Sequence, residues 1–275
     1  MFKTNPIMKL TIRSKEILSF VLFAAAWIPS MYAQMDSSMT TMTISPSPIE
    51  TDRPDQTETA SLVPVGYIQL ETGFSIEDTE PGFLYTYPSA LLKYGVSENF
   101  EVRVVAEYIN IQREPNPNVD GMLPLRLGLK TKLFDQNGII PKTSLLGHIS
   151  LPGIASEQFR EPFFAPDLRL LFLHTLDRFS VSYNVGAEWD GFQARPDFIY
   201  SLSLGANIAG GLGIFVEGYG RVPQQREDEN ELRMDAGLTY LINNDVQVDL
   251  SGGIGLTDNA PEKYVALGLS FRLNP

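Results

Sequence analysis

Apolar and polar residues alternate along most of this chain. Between Phe100 and Tyr108, for example, every even-numbered residue is apolar, whereas Glu101, Arg103 and Glu107 stand at odd-numbered positions. Successive side chains of a β-strand point to opposite faces of the sheet. The pattern therefore predicts strands that have one apolar and one polar face.

The alternating segments follow one another from residue 65 to the end of the chain, and turn-forming residues separate them. Their connections alternate in length, six long and five short, which predicts tight turns at one end of the sheet and long loops at the other. The twelve predicted strands cover residues 65–76, 84–96, 99–112, 122–135, 141–151, 166–175, 178–190, 197–208, 211–222, 231–242, 245–256 and 262–273.

The first 33 residues have a different character. Basic residues precede an apolar run, Ile17–Ile28, and the small residue Ala33 follows it. The run rises only about 18 Å as a helix, which is short for a hydrocarbon core of roughly 30 Å. We therefore predict that residues 1–33 are a signal peptide cleaved after Ala33. Residues 34–64 are predicted to be a flexible linker and an acidic N-terminal segment, followed by a barrel over residues 65–275.

Two folds could use alternating strands of this kind. A soluble sandwich would bury the apolar faces in a core, whereas a membrane barrel would turn them toward lipid. Export, an even number of strands, alternating loop lengths and aromatic residues near strand ends, such as Phe179 and Trp189, favour the barrel. We predict an all-β chain, a transmembrane antiparallel up-and-down β-barrel of about 12 strands, in contact with outer-membrane lipid.

Charge and composition exclude several functions. Without the leader, 17 basic and 32 acidic residues leave a net charge of −15, and no basic cluster is present for binding nucleic acid. The chain has no cysteine and only two histidines, so neither a disulfide framework nor a transition-metal site is expected. We predict no cofactor and no metal.

The polar faces of the predicted strands carry many charges of both signs. Inside a barrel they would line a path for solutes, or they would pair with one another and seal a narrow lumen. The residues expected to point inward are Glu71, Glu101, Arg103, Glu107, Arg126, Lys130, Lys132, Asp167, Arg169, Glu188, Glu217, Arg221, Arg233, Asp235, Asp249 and Arg272.

An acidic stretch precedes the first predicted strand. In ETDRPDQTETA, residues 50–60, four carboxylates surround Arg53, and no histidine stands nearby to complete a metal site. We expect Asp52, Asp55 or Glu58 to pair with inward bases such as Arg103, Lys130 or Arg126. The segment is thereby predicted to plug or gate the periplasmic mouth of the barrel.

One pair of residues raises the question of catalysis. His148 and Ser150 lie two positions apart and therefore on the same face of a strand, as in barrel phospholipases of the outer membrane. Pro152 follows shortly after and has no N–H to offer an oxyanion. We predict that the protein is not an enzyme, with a barrel hydrolase as a remote alternative.

The stretch TDRPDQTETASLVPVGYIQLETGF, residues 51–74, resembles the N-terminal signature of bacterial outer-membrane proteins named for a putative meta-pathway of phenol degradation. The ending ALGLSFRL is similar to the final strand that the barrel-assembly machinery recognises, with Gly268, Phe271 and Leu273 in alternation. It departs from that form at Ala266 and in the extra Asn274 and Pro275. The resemblance implies an outer-membrane channel inserted by that machinery.

The leading functional hypothesis is passive passage of small solutes, which the family resemblance extends to hydrophobic or aromatic compounds. The alternative is a closed structural barrel that works through its external loops, residues 113–121 and 152–165.

Overall fold

The computed structural model describes residues 47–54, 56–79, 82–113, 115–224 and 230–275. The predicted signal peptide and most of the predicted linker lie outside the described residues, as does Asp55. Within the described ranges, no helix is long and apolar enough to cross a membrane.

Within the described residues, the alternating sequence forms thirteen β-strands. One turn of 3-10 helix, Glu157–Phe159, lies in the connection between β6 and β7. The strands are β1 (Ile68–Asp78), β2 (Gly82–Ser97), β3 (Phe100–Arg113), β4 (Val119–Met122), β5 (Leu125–Phe134), β6 (Lys142–Leu151), β7 (Pro166–Leu176), β8 (Phe179–Glu188), β9 (Asp197–Ala209), β10 (Leu212–Val222), β11 (Glu231–Asn243), β12 (Val246–Gly255) and β13 (Lys263–Leu273).

Strands β4 and β5 together occupy one strand position of the barrel, because both pair with β3. Pro124 lies between them, where its missing N–H interrupts the ladder. The backbone N–H of Leu123 still donates to the carbonyl of Glu107, at 2.9 Å. The barrel therefore has the twelve strand positions that the sequence predicted.

The sheet closes on itself. Every strand pairs antiparallel with its neighbours, and β1 pairs with β2 on one side and with β13 on the other, in a register that sets Ile68 opposite Leu273. The pairing of β2 with β3 completes the ring. A closed ring satisfies the hydrogen-bonding groups that an open sheet edge would expose. The predicted up-and-down β-barrel is confirmed.

Four connections of two residues lie at one end of the barrel, at 98–99, 177–178, 210–211 and 244–245. Gly210 and Gly211 have φ of 57° and 86°, the backbone that such tight turns require. We call this end the turn end and the opposite end the loop end.

The predicted alternation of loop lengths is wrong at two connections. The first, 79–81, was expected to be long but spans three residues, because β1 and β2 extend into it and Thr79 N–H donates to Gly82 at 2.8 Å. The connection 135–141 was expected to be short but spans seven residues, including a bridge between Asn137 and Ile140.

The two faces of the barrel differ as the pattern predicts. Val265 and Leu267 on the outer face are 58% and 57% exposed, whereas Glu101 and Lys130 on the inner face are both 0% exposed. A soluble protein buries its large apolar residues and exposes its charges. This inverted arrangement suits a wall with hydrocarbon outside and polar groups inside.

Candidate functional site

Residues 47–54 and 56–64, which we call the N-terminal segment, lie inside the barrel. The segment starts at the turn end, where Ile49 N–H donates to Asn244 O at 2.7 Å. It then crosses the lumen and returns toward β2 and β3, where Val63 N–H donates to the carboxylate of Glu101 at 2.7 Å. Ala60 and Val63 are buried although neither belongs to a strand. The segment thus occupies the turn-end half of the lumen.

Asp52 makes the strongest connection between the segment and the wall. Its two oxygens accept from Lys93 on β2 at 2.8 Å, Arg103 on β3 at 2.8 Å and Lys130 on β5 at 3.1 Å. Burial by itself would raise the pKa of Asp52, but Lys130, Lys93 and Arg103 together hold that pKa well below its usual value. Asp52 is therefore ionised at neutral pH.

Two further carboxylates complete this ion cluster. Glu71 on β1 forms an ion pair with Lys93 and accepts from the backbone N–H groups of Asp52 at 2.9 Å and Arg53 at 3.0 Å. Glu58 of the segment accepts from Arg103 at 2.7 Å. Each buried charge here has an opposite charge beside it, which a lumen shielded from solvent requires. We call Asp52, Arg53 and the wall residues that bind them the anchor.

Arg53 fills a notch made by two glycines. Gly73 on β1 and Gly268 on β13 are directly paired, and a Cβ added to either would lie within 2.4 Å of the Arg53 guanidinium. The guanidinium also donates to Ser89 at 3.2 Å and to Asp249 at 3.3 Å. The absence of side chains at these glycines lets Arg53 lie flat against the seam where the first and last strands meet.

Residues 56–58 touch the opposite wall through fewer charges. Gln56 N–H donates to Glu217 on β10 at 2.7 Å, and the Thr57 hydroxyl also donates to that carboxylate. The Thr57 hydroxyl lies 2.9 Å from that of Ser201 on β9, and Glu58 exchanges two backbone hydrogen bonds with the Asn184 side chain on β8. We call residues 56–58 with these partners on β8, β9 and β10 the latch.

Two cavities lie on either side of the latch. The loop-end cavity, of about 350 Å³, has Gln56 in its wall together with Arg169, Glu188, Arg221 and Arg233. The turn-end cavity, of about 660 Å³, includes Pro54 and Thr57 of the same segment. The segment therefore separates the two cavities, and the latch is where it meets the far wall.

Charged residues of both signs surround the loop-end cavity and form ion pairs with one another. Arg169 and Arg221 each lie 3.6 Å from the carboxylate of Glu188, and Arg221 also lies 3.3 Å from Asp197. Arg233 pairs with Glu77 at 3.1 Å. These side chains are partly exposed to the cavity, so they can contact a polar solute.

Eleven of the residues expected to point inward fall into two groups. Those near the segment are buried: Glu71, Glu101, Arg103, Lys130, Glu217 and Asp235. Those nearer the loop end are half-buried: Glu107, Arg126, Arg169, Glu188 and Arg233. Arg126 pairs with Glu107 at 2.9 Å and not with the segment, unlike Arg103 and Lys130. Asp55, also expected in such a pair, lies outside the described residues.

Sequence reasoning missed Lys93, which binds both Asp52 and Glu71. A register shift between Thr86 and Ser89 disturbs the alternation of β2 and hid its inner face. A single lysine between Leu92 and Tyr94 was the available signal. The latch residues Ser201 and Asn184 were missed because neutral polar side chains are common on any inner face.

His148 and Ser150 point into the barrel but do not form a catalytic pair. The Ser150 hydroxyl donates to Glu161 at 2.5 Å and accepts from Ala165 N–H at 3.0 Å. His148 Nδ1 faces Asp167 at 3.4 Å. A serine nucleophile requires the histidine as the acceptor of its proton, and here Glu161 has that place. Within the described residues, no group of three or more His, Asp or Glu is arranged to hold a metal.

Solved structures show the same architecture. An outer-membrane channel from Pseudomonas putida F1 superposes with a TM-score of 0.64 at 12% identity, over 78% of this chain and 98% of that one. The KdgM porin matches with a TM-score of 0.49 at 12% identity, over 74% of this chain and 98% of that one. At such identities, the first match shows the fold. No curated protein matches the sequence.

A family model matches residues 51–273, from the anchor to the last strand. The match covers the stretch that carries the resemblance noted in the sequence, and it includes the N-terminal segment as well as the barrel. This chain belongs to the family described as "Putative MetA-pathway of phenol degradation".

Proposed function

We propose that this protein is an outer-membrane channel through which small solutes pass without chemical change, and that its N-terminal segment closes the lumen. The observation that carries the proposal is the position of Gln56 and Thr57 between two cavities. Removing their contact with Glu217 and Ser201 would join the cavities into one path. The inward charges at the loop end would then contact the solute.

In this proposal the turn end faces the periplasm and the long loops face outward, as in other outer-membrane barrels. Residues 1–33 are a signal peptide cleaved after Ala33, and residues 34–46 connect it to the N-terminal segment. The last strand, β13, directs insertion by the barrel-assembly machinery. Phe271 and Leu273 alternate with inward Arg272, which is the pattern of such a strand.

The two ends of the segment's contact with the wall suggest which part moves. The anchor rests on buried ion pairs, which cost several kcal/mol to break when one partner is removed. The latch rests on a few hydrogen bonds, each worth about 1 kcal/mol net. Opening therefore releases residues 56–58 from β8, β9 and β10 while Asp52 and Arg53 stay in place.

A disulfide lock tests this opening. The chain has no cysteine, and the Thr57 and Ser201 hydroxyl oxygens are 2.9 Å apart, so Thr57→Cys with Ser201→Cys places two sulfurs within bonding reach. In planar bilayers we expect the oxidised double variant to carry little current and reduction to restore it. Each single-cysteine variant is a control, and its current should not change when the oxidant is added.

The outcomes separate two claims. If the reduced protein is folded but conducts nothing, the channel proposal fails, and the alternative of a closed barrel that works through its loops gains support. If current flows and does not change on oxidation, although the disulfide has formed, the protein is a channel but the latch is not its gate.

A further inference from the structure

The turn-end cavity has an unusual lining for a barrel so rich in ion pairs. Among the described residues, none of the strand residues that line it is charged. The side chains of β7, β8, β9 and β11 that face it include the hydroxyl groups of Thr175, Ser180, Ser182, Ser203 and Thr239. These hydroxyl groups offer hydrogen bonds in both directions. The charged residues that line the cavity belong to the N-terminal segment and to the turn at 177–178, and they are two of each sign: Glu50, Arg53, Asp177 and Arg178.

Two aromatic residues line this cavity, Phe179, which is 50% exposed at the start of β8, and Phe215. Phe215 on β10 lines the cavity, two positions from Glu217 and therefore on the inner face. Its neighbours in register are both glycines, Gly205 on β9 and Gly237 on β11. A Cβ on Gly237 would lie 2.4 Å from the ring, so the ring lies flat over that glycine.

The glycines do more than accommodate the ring. Gly205 has no side chain, and the Ser180 hydroxyl lies in the space that a Cβ there would need, at 2.5 Å. The half-buried ring of Phe215 is thus bordered by hydroxyl groups within one cavity. Aromatic faces attract other rings by stacking and attract the C–H groups of saturated rings.

We propose that the turn-end cavity is a binding site for a small, neutral ring that carries hydroxyl groups, with Phe215 as the platform and the serine and threonine hydroxyls as hydrogen-bond partners. At about 660 Å³, the cavity is in the size range of small-molecule sites. Phenols and monosaccharides share this chemistry. The site deepens the proposed channel function, because it gives the path a place where a solute pauses behind the latch.

The test is equilibrium dialysis of folded, detergent-solubilised protein against phenol, glucose and benzoate, one at a time. Wild-type protein should retain phenol or glucose in excess of Phe215→Leu, while benzoate, which is charged, should show no such excess. The leucine keeps the site apolar but removes the flat face. Loss of a stacking contact should weaken binding about three- to tenfold.

Two further variants make the result specific. Phe198→Leu changes an aromatic residue on the outer face, which is 50% exposed, and should bind like wild type. Thr239→Val removes one hydroxyl at constant shape and should weaken binding as Phe215→Leu does. Heat-dependent gel mobility verifies that each barrel is folded.

Each result of the dialysis either supports or contradicts the proposed site. Retention of phenol alone or of glucose alone identifies the kind of ring, and either supports the site. Equal retention of all three solutes by wild type and Phe215→Leu overturns it. Dialysis does not measure current. A negative dialysis result therefore does not contradict the channel proposal, and an absence of current in planar bilayers does not contradict the binding result.

Discussion

The two walls of the lumen treat the N-terminal segment differently. The wall of β1, β2, β3 and β5 holds Asp52 through buried Lys93, Arg103 and Lys130. The wall of β8, β9 and β10 holds Thr57 through hydroxyl and carboxylate contacts and leaves a hydroxyl-rich cavity beside it. One wall therefore fixes the segment, and the other determines whether a path exists. Their difference separates attachment from closure within a single short stretch of chain.

The largest effect should come from removing the anchor's central charge. Asp52→Ala leaves three buried cations with one fewer partner, and such a change costs about 3–5 kcal/mol. We expect the segment to leave the wall and the mean current in planar bilayers to rise by more than about tenfold. Asp120→Ala, at an exposed position in β4, is the matched control and should conduct like wild type. A current equal to that of wild type would show that the ion cluster does not hold the segment.

A smaller effect should follow from filling the Arg53 notch. In Gly268→Ala the new Cβ would lie 2.3 Å from the Arg53 side chain and 2.4 Å from the Asp249 carboxylate, so this ion pair must shift. We expect more frequent openings, and faster protease cleavage within residues 50–60. Overpacking of this kind costs about 1–3 kcal/mol.

Gly218→Ala is the control for that variant, because a Cβ there meets nothing within 4 Å. Both proteins should be refolded from denaturant into detergent, since Gly268 also lies in the strand expected to direct assembly. Identical protease patterns in the two variants would contradict the role of the notch.

The smallest effect should come from the latch. Thr57→Val removes one hydroxyl that binds Glu217, at a cost of about 1 kcal/mol, and should raise the fraction of time open about fivefold. Ser144→Ala removes a buried hydroxyl on β6 that donates to Ala60 O at 2.6 Å, away from the latch. It should leave the open fraction unchanged. Equal effects of the two variants would contradict the role of the latch in closure.

Much of the barrel could be predicted from the sequence because lipid and lumen impose a strict period of two. That period predicted all twelve strand positions, including β3 with Glu101 and Arg103 on its inner face. It could not locate loop lengths where strands continue through turn-forming residues, as at Thr79, nor the break at Pro124. Strand continuation depends on pairing with the neighbouring strand, which a single sequence does not display.

The contacts of the N-terminal segment could likewise be predicted only in part from the sequence. Its four carboxylates beside one arginine indicated ion pairs with inward bases, and the structure sets Asp52 against Arg103 and Lys130. The latch left no comparable signal, because Thr57 and Ser201 are 144 residues apart and neither is charged. The glycine notch was equally hidden, since Gly73 and Gly268 become neighbours only when the barrel closes.

The central claim, that the N-terminal segment closes a channel, is tested most directly by deleting residues 50–60 and recording single-channel conductance in planar bilayers. The deletion removes the anchor and the latch together and leaves every strand intact. We expect a folded, heat-modifiable barrel with a conductance several times that of the full-length protein. A folded deletion protein with the same conductance as the full-length chain would contradict it.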